Sequence, residues 1–175
     1  RVRAINNELA QATFLPGWLR AVGPGWISWG VESFLDEVAA KQGRDAVAMR
    51  LALLDGRGKN AGGDGSTVGG ATRLAAVLKD VAARADWGRE MPPHEGLGVA
   101  VGHGQDRGMP TWIACVAHVA IDPSSGDISL KKLWQTIDVG TVVNPDGAMA
   151  QAEGAALWGV SLALHEGAAF AAGEV

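Results

Sequence analysis

The residues best suited to chemistry follow a helix-start signal late in the chain. Asn144 and Pro145 precede a run of small residues that contains Gln151, Glu153 and Gly154. Asn is a favoured helix N-cap and Pro fits the first helical position, so a helix is predicted to begin here. A helix N-terminus offers free N–H donors and a partial positive charge, which suit an anionic cofactor. Gln151 adds a donor amide and an acceptor carbonyl early in that helix.

The same helix is rich in alanine and glycine. Its small residues are Gly147, Ala148, Ala150, Ala152, Gly154, Ala155 and Gly159. Small side chains allow a flat ligand to approach the helix, and they equally allow a second helix to pack closely on it. The residue types alone leave both interpretations open.

Arg20 lies in the segment "PGWLRAVGPGWISWG", residues 16–30, which its glycines and prolines predict to be a loop. Gly-rich loops bring backbone N–H groups close to a ligand because glycine has no side chain in the way. A surface arginine is the competing interpretation, and composition does not separate the two. A second glycine-rich stretch, residues 57–70, lacks the Lys that follows the second Gly of a phosphate-binding loop, so a solvent loop is favoured there.

Carboxylates at Glu32, Asp36 and Glu37 have a spacing that could serve acid–base catalysis. The simpler interpretation is a solvated helix face whose negative charge favours the helix N-terminus. The four histidines are scattered singly and none lies in a nucleophile motif. Cys115 and His118 would point to opposite faces of a strand, which excludes them as a local catalytic dyad.

Composition excludes several classes of protein. The net charge of -4 and the lack of a polybasic cluster argue against nucleic-acid binding. The single cysteine rules out an internal disulfide, and no Cys/His cluster has metal-ligand spacing. No apolar run approaches the ~20 residues that span a bilayer, and no signal peptide is visible. Because the sequence opens on Arg1 in strand-compatible residues, we expect part of a larger polypeptide or a subunit that needs others.

The elements that must position these residues follow from periodicity. Helices are predicted at 31–43, 44–56 and 71–88, and the third has the clearest apolar stripe at helical spacing. Short strands are predicted at 97–103, 111–122 and 127–138, with a hairpin signal in "DPSSGD".

This order predicts an α+β fold with a mixed sheet and packed helices rather than a regular βαβ array. We expect one partial domain over residues 1–175. Its parts are a strand and the Arg20 loop at 1–30, a helical region at 31–88, strands at 96–138 and the final helix at 144–166.

Several motifs in this order resemble a known family. They are "WLRAVG", "VESFLDEVA", "RLAAVLKDVAARADWG", "GLGVAV", "CVAHVAID" and "VVNPDGAMAQAEG". The chain resembles the molybdopterin-binding large subunit of the xanthine oxidase/aldehyde oxidase family, and most of all the branch typified by the beta chain of isoquinoline 1-oxidoreductase. That branch includes membrane-associated bacterial aldehyde dehydrogenases. The resemblance implies part of a molybdenum-cofactor-binding domain.

The resemblance also implies roles for individual residues. Gln151 matches the glutamine of a "QxEG" motif that hydrogen-bonds the cofactor, and Gly154 closes the same motif. Arg20 matches an arginine whose backbone amide lies near the molybdenum. Val22 and Thr111 match segments that line the substrate pocket. The family's general-base glutamate lies in a motif that is absent here, so the resemblance assigns no catalytic residue and no metal ligand to this chain.

The reaction implied by the resemblance is hydroxylation of an aldehyde or an N-heterocycle with water as the oxygen source. Its cofactor is the molybdopterin cytosine dinucleotide form, and its electrons leave through [2Fe–2S] clusters on a partner subunit. The remainder of the molybdopterin subunit and a cytochrome c subunit are further partners that the family allows. Its location is periplasmic or associated with the inner membrane. The alternative is a structural or interaction module that keeps the fold without the cofactor.

Overall fold

The computed structural model describes residues 20–21, 23–54, 70–106, 109–167 and 169. These residues form four helices and three strands in the order helix, helix, helix, strand, strand, strand, helix. The elements are α1 (Pro24–Lys41), α2 (Ala46–Leu53), α3 (Gly70–Arg84), β1 (Glu95–Asp106), β2 (Met109–Ile121), β3 (Ile128–Asp138) and α4 (Pro145–Leu164). The α+β class predicted from the sequence is confirmed. The strand predicted before Arg20 and the glycine-rich loop at 57–69 lie outside the described residues.

Helix α1 corrects the loop predicted for residues 16–30. It begins at Pro24, and Gly25 and Gly30 lie inside it. The Gly25 N–H donates to the Ala21 carbonyl at 3.1 Å, so the helical bonding pattern starts at the residue after Arg20. Proline at the first helical position lacks only an N–H that would be unpaired anyway, and so it starts this helix instead of breaking it.

Helix α2 starts at an Asp45 N-cap. The Asp45 carboxylate accepts a hydrogen bond from the Ala48 N–H at 2.7 Å. Its second oxygen accepts from the Trp87 indole N–H, also at 2.7 Å, which ties the start of α2 to the turn after α3. The cap therefore has both a local and a tertiary role.

The three strands form one antiparallel sheet in the order β1-β2-β3. This corrects the expectation of a mixed sheet for the described strands, because consecutive strands are joined by hairpins and hairpins pair strands in opposite directions. The "DPSSGD" turn is confirmed: the Asp122 carboxylate accepts from the Ser124 N–H at 2.8 Å, and Gly126 takes the left-handed conformation with φ +80°.

The core lies between α3 and one face of the sheet. The apolar stripe of α3 contributes Leu78 and Val81, both fully buried. They belong to one cluster with Val99 of β1 and with Ala114 and Val116 of β2, which alternate along their strand as a half-buried sheet requires. The apolar stripe predicted for α3 therefore faces this core.

Helix α4 differs from the other helices because none of its residues is buried. It begins at Pro145, as predicted, and packs mainly on β3. Large apolar side chains remain exposed on it, with Met149 at 61% and Leu157 at 69% of full exposure. Apolar residues surround this helix on all sides, a pattern typical of helices that are enclosed in a larger structure.

Candidate functional site

The N-terminus of α4 is built by Asn144 and Gly147. The Asn144 side-chain oxygen accepts a hydrogen bond from the Gly147 N–H at 3.0 Å, and the Asn144 carbonyl accepts from the Ala148 N–H at 3.0 Å. A Cβ atom on residue 147 would lie 3.0 Å from the Asn144 side-chain nitrogen. Glycine at position 147 therefore lets the cap sit against the first turn.

One face of α4 combines two glycines and Trp158 with the predicted cofactor ligand. Residues 147, 151, 154 and 158 recur at helical spacing, which places Gln151 beside Gly154 on that face. Gln151 and Gly154 are both exposed, and no atom lies within 4 Å of a Cβ built on Gly154. We call residues 147, 151, 154 and 158 the Gln151 face. It offers an amide donor and acceptor next to a helix surface that a flat group can approach.

Arg20 lies in a tight turn before α1. The residue after it, Ala21, has φ +63°, a left-handed conformation that costs a non-glycine residue energy and is often found at functional sites. The turn is held by the first helical bonds of α1. A Cβ on Gly25 would lie 3.6 Å from the Ala21 Cβ, so the turn packs closely on the helix. The backbone at Arg20 is thus fixed by the start of α1, and the Arg20 side chain is exposed.

Of the predicted site residues, Thr111 lies at the end of the sheet where β3 leads into α4. His103, Trp112 and Asp138 are paired across the three strands and form a row at that end. Thr111 is half-buried one residue before Trp112 and pairs with Gly104. Helix α1 runs beside the same end of β1, because a Cβ on Gly102 would lie 3.8 Å from the Ser28 hydroxyl.

Helices α1 and α4 pack on opposite edges of the sheet. Helix α1 packs mainly on β1 and α2, whereas α4 packs mainly on β3. Strands β1 and β3 are the two outer strands, with β2 between them. Arg20, in the turn before α1, and Gln151, on α4, therefore belong to segments on opposite edges of the sheet. Val22 lies outside the described residues, so its predicted place in a substrate pocket stays a prediction.

The carboxylate of Glu32 is buried, which corrects the expectation of a solvated face. It is 8% exposed and accepts from the Arg50 Nε at 2.8 Å and from the Val101 N–H at 2.9 Å. Arg50 is 2% exposed, donates to the Glu32 carbonyl at 3.1 Å and pairs with the more exposed Asp36 at 2.7 Å. Glu37 is exposed, as expected.

This ion pair serves structure rather than acid–base chemistry. The Val101 N–H points away from β2, on the edge of β1 that pairs with no other described strand. The Glu32 carboxylate accepts its hydrogen bond and so takes the place of a neighbouring strand. Among the described residues, every buried side-chain oxygen and nitrogen has a partner, which offsets part of the cost of burying charge. One signal in the sequence pointed to this: Arg50 stands alone within the apolar stretch "AVAMRLALL".

Cys115 and His118 are separated as predicted. The His118 Nε2 pairs with the Glu95 carboxylate at 2.5 Å on the face of the sheet that carries Leu97 and Val99. Burial raises the pKa of the Cys115 thiol to about 11. The thiol is therefore protonated at neutral pH and is not a nucleophile there.

A second ion pair, not predicted from the sequence, joins α3 to the end of β3. The Arg73 Nε donates to Asp138 Oδ2 at 2.6 Å, and Arg73 Nη2 donates to Asp138 Oδ1. The Gly140 N–H also donates to Oδ1, at 3.0 Å. Hydrogen bonding from Arg73 lowers the pKa of the Asp138 carboxyl. No local pattern marks this pair, because its members are 65 residues apart.

Within the described ranges, no group of three or more His, Cys, Asp or Glu side chains converges as a metal site. None of the helices there combines the length and apolar character that a membrane crossing needs.

Comparison with known proteins identifies relatives. Residues 38–175 match the family model of the molybdopterin cofactor-binding domain. The chain is 54% identical over 167 residues to a membrane-bound aldehyde dehydrogenase [pyrroloquinoline-quinone] of Gluconacetobacter polyoxogenes, covering 95% of this chain and 22% of that protein.

Two further relatives are more distant. The beta chain of isoquinoline 1-oxidoreductase from Brevundimonas diminuta is 31% identical over 149 residues, covering 85% of this chain and 17% of that protein. A nicotinate dehydrogenase subunit from Pseudomonas putida is 28% identical over 166 residues, covering 87% of this chain and 13% of that protein. The chain thus spans less than a quarter of the length of these relatives.

Proposed function

The chain belongs to the molybdopterin cofactor-binding domain family, and from that premise we propose that it forms part of a molybdenum hydroxylase. This enzyme would oxidise an aldehyde or an N-heterocycle with oxygen taken from water. The observation that carries the proposal is the exposed Gln151 face at the start of α4. The named activities of the relatives, on an aldehyde, isoquinoline and nicotinate, support the substrate class.

The residues present fit such a cofactor. The exposed Gln151 amide is able to donate to and accept from the polar edge of a pterin, since it carries both kinds of group. Gly154 leaves the adjacent helix surface open, with no atom within 4 Å of a built Cβ. In this proposal Gln151 and Gly154 hold the cofactor from the β3 side, and the Arg20 backbone approaches it from the β1 side.

In this proposal the cofactor and the protein contribute different parts of the reaction. When bound, the cofactor supplies the metal centre that accepts electrons from the substrate, while the protein contributes binding, orientation and exclusion of water. In this chain, Gln151 and Gly154 bind and orient, and the strained turn at Arg20 and Ala21 fixes a backbone amide. Val22 and Thr111 line the substrate pocket in this proposal. The general base is supplied by another part of the enzyme.

The proposal includes partners and a location. The remainder of the molybdopterin subunit covers α4, whose apolar residues are exposed on all sides. A [2Fe–2S] subunit takes the electrons, a cytochrome c subunit is a further candidate acceptor, and the cofactor is the cytosine dinucleotide form. The enzyme resides in the periplasm or at the inner membrane, in line with the membrane-bound relative.

A second cofactor comes from the name of that relative, which includes pyrroloquinoline quinone. The chain is 54% identical to it, so the quinone is a specific alternative. Metal and quinone contents measured on the same native polypeptide distinguish the two. Molybdenum near one atom per polypeptide supports the proposal, and stoichiometric quinone without molybdenum contradicts it.

The Gln151 face is tested by truncating one side chain. In the native polypeptide that contains this chain, Gln151→Ala removes one hydrogen bond worth about 1 kcal/mol, which weakens cofactor binding about fivefold. We expect less molybdenum per polypeptide by elemental analysis, with an unchanged unfolding midpoint of the cofactor-free protein.

Ser161→Ala is the matched control, because Ser161 is a polar residue of α4 that lies about 15 Å from Gln151 along the helix axis at 1.5 Å per residue. It should retain the molybdenum content of the wild type. Equal cofactor content in the Gln151→Ala protein and the wild type would refute the assignment of Gln151. A well-folded native complex without molybdenum or quinone would favour the alternative of a structural module without a cofactor.

A further inference from the structure

We infer that Arg73 and Asp138 are positioning residues, whose ion pair fixes the connection between β3 and α4 and so aims the Gln151 face. The orientation of α4 is inferred from contacts on this chain alone, and its importance for the cofactor rests on the function proposed above. Neither residue is assigned contact with the cofactor or the substrate.

Asp138 fixes the point at which the connection from β3 to α4 begins. It is the last residue of β3, and both of its carboxylate oxygens accept hydrogen bonds from Arg73. The Gly140 N–H donates to the same carboxylate at 3.0 Å, which fixes the first turn after the strand. Gly140 has φ +76°, a conformation that favours glycine, and a Cβ there would lie 3.9 Å from Arg73 Nη2. One carboxylate therefore ties the strand end to the start of the connection.

Arg73 in turn is fastened to the core. It lies in the first turn of α3, the helix that covers the sheet. Its guanidinium lies over the Trp112 ring at 3.9 Å from the ring centre, and Trp112 is only 3% exposed. A planar guanidinium that pairs through two N–H groups and stacks on a ring has little freedom to rotate. The ion pair therefore holds residue 140 in a fixed position relative to the core.

Little else in the described part of this chain orients α4. The helix has no buried residue and packs mainly on β3. Its N-terminal cap, Asn144, lies four residues after Gly140. A change in the direction of the chain at Asp138 therefore moves the start of α4. It also moves Gln151, which lies about 9 Å along the helix axis from Pro145 at 1.5 Å per residue.

A neighbouring contact supplies the matched control. Thr136 on β3 donates its hydroxyl to the Asp80 carboxylate of α3 at 2.7 Å. This contact also links α3 to β3, two residues before Asp138, and neither partner touches residues 139–144 in the described hydrogen bonds. Thr136→Val removes it and keeps the shape of the side chain.

The experiment compares Asp138→Asn, Arg73→Lys and Thr136→Val in the native polypeptide that contains this chain. Amide hydrogen exchange of residues 139–150 is measured on the cofactor-free protein, and molybdenum content is measured on the protein as purified. Hydrogen bonds to charged groups are among the stronger ones, so we expect exchange of residues 139–150 to rise about tenfold in Asp138→Asn. Arg73→Lys keeps the positive charge but loses the bidentate hydrogen bonding, so exchange of residues 139–150 should rise in this variant as well.

The expected pattern is local. Exchange of residues 128–136 stays at the wild-type rate in Asp138→Asn and Arg73→Lys, and their molybdenum content falls. Thr136→Val leaves both the exchange of residues 139–150 and the molybdenum content unchanged. Unchanged exchange of residues 139–150 in both ion-pair variants would overturn the inference, as would an equal rise in Thr136→Val.

The two proposals fail in different ways. If the wild type contains no molybdenum while Asp138→Asn still loosens residues 139–150, the proposed function fails and the role of the ion pair in orienting α4 stands. If the wild type contains molybdenum and both ion-pair variants keep it with unchanged exchange, the positioning role fails and the proposed function stands.

Discussion

Replacing Glu32 tests whether the buried ion pair carries the packing of α1 on the sheet. In Glu32→Ala, Arg50 loses the partner of its Nε and the Val101 N–H loses its acceptor. Removing one member of a buried ion pair costs about 3 to 5 kcal/mol, because the other charge stays behind in the interior. Here Arg50 keeps Asp36 at 2.7 Å and the Ala46 carbonyl at 3.2 Å, so we expect the low end of that range, about 3 kcal/mol.

The assay is amide hydrogen exchange across α1 and β1 in the native polypeptide. A loss of about 3 kcal/mol raises the local opening equilibrium on the order of a hundredfold. Glu32→Gln keeps one acceptor of nearly the same shape and should cost about 2 kcal/mol. Glu37→Ala on the same helix is the control, since surface changes usually stay within about 0.5 kcal/mol.

The double variant Glu32→Ala/Arg50→Met sharpens the result. Removing both charges leaves no unpaired ion in the interior, so the double variant should lose less stability than the sum of the single variants. Exchange in Glu32→Ala that matches Glu37→Ala would refute the reasoning. It would show that Asp36 alone satisfies Arg50 and that Glu32 contributes nothing to the packing of α1.

Two further outcomes follow from the structure. Asn144→Ala removes the N-cap of α4 and should cost about 1 kcal/mol, seen as faster exchange of the Gly147 amide with little change in α3; unchanged exchange of that amide would contradict the cap. Cys115 should resist alkylation at pH 7, and its rate should rise about tenfold per pH unit, because the thiolate fraction increases with pH below a pKa of about 11. Rapid alkylation of the folded protein at pH 7 would contradict its burial.

Elements with a local signal were predictable from the sequence. The stripe of α3 follows helical periodicity because it buries one face, and Leu78 and Val81 lie in the core as that pattern indicates. Asn144 and Pro145 mark the start of α4 through chemistry that acts within one turn. The β2–β3 hairpin follows from Asp122 and the glycine of its turn.

Contacts between distant residues were missed for a physical reason. Glu32 pairs with Arg50, 18 residues later, and Arg73 pairs with Asp138, 65 residues later. No short stretch of sequence therefore contains both members of either pair. A charged residue also gives the same local signal whether it is solvated or buried with a partner. The α1 loop prediction failed differently, because Pro24 either ends a helix or begins one, and the outcome depends on the turn before it.

The candidate site likewise combines a feature with a local sequence signal and features that depend on distant residues. The helix signal located Gln151, and the exposure of its face agrees with a ligand-binding surface. The row of His103, Trp112 and Asp138 at one end of the sheet depends on strand register. Register is set by the pairing of whole strands, which the local sequence does not specify.

The exposure of α4 also bears on how the proposed enzyme would be assembled. Most helical stability in proteins comes from tertiary packing, and a helix that buries no side chain gains little of it from its own domain. In the proposed enzyme, its stability would come mainly from contacts with other parts of the protein. The Gln151 face would stay accessible in newly made protein until those contacts form, which would leave an interval for the proposed cofactor to reach it.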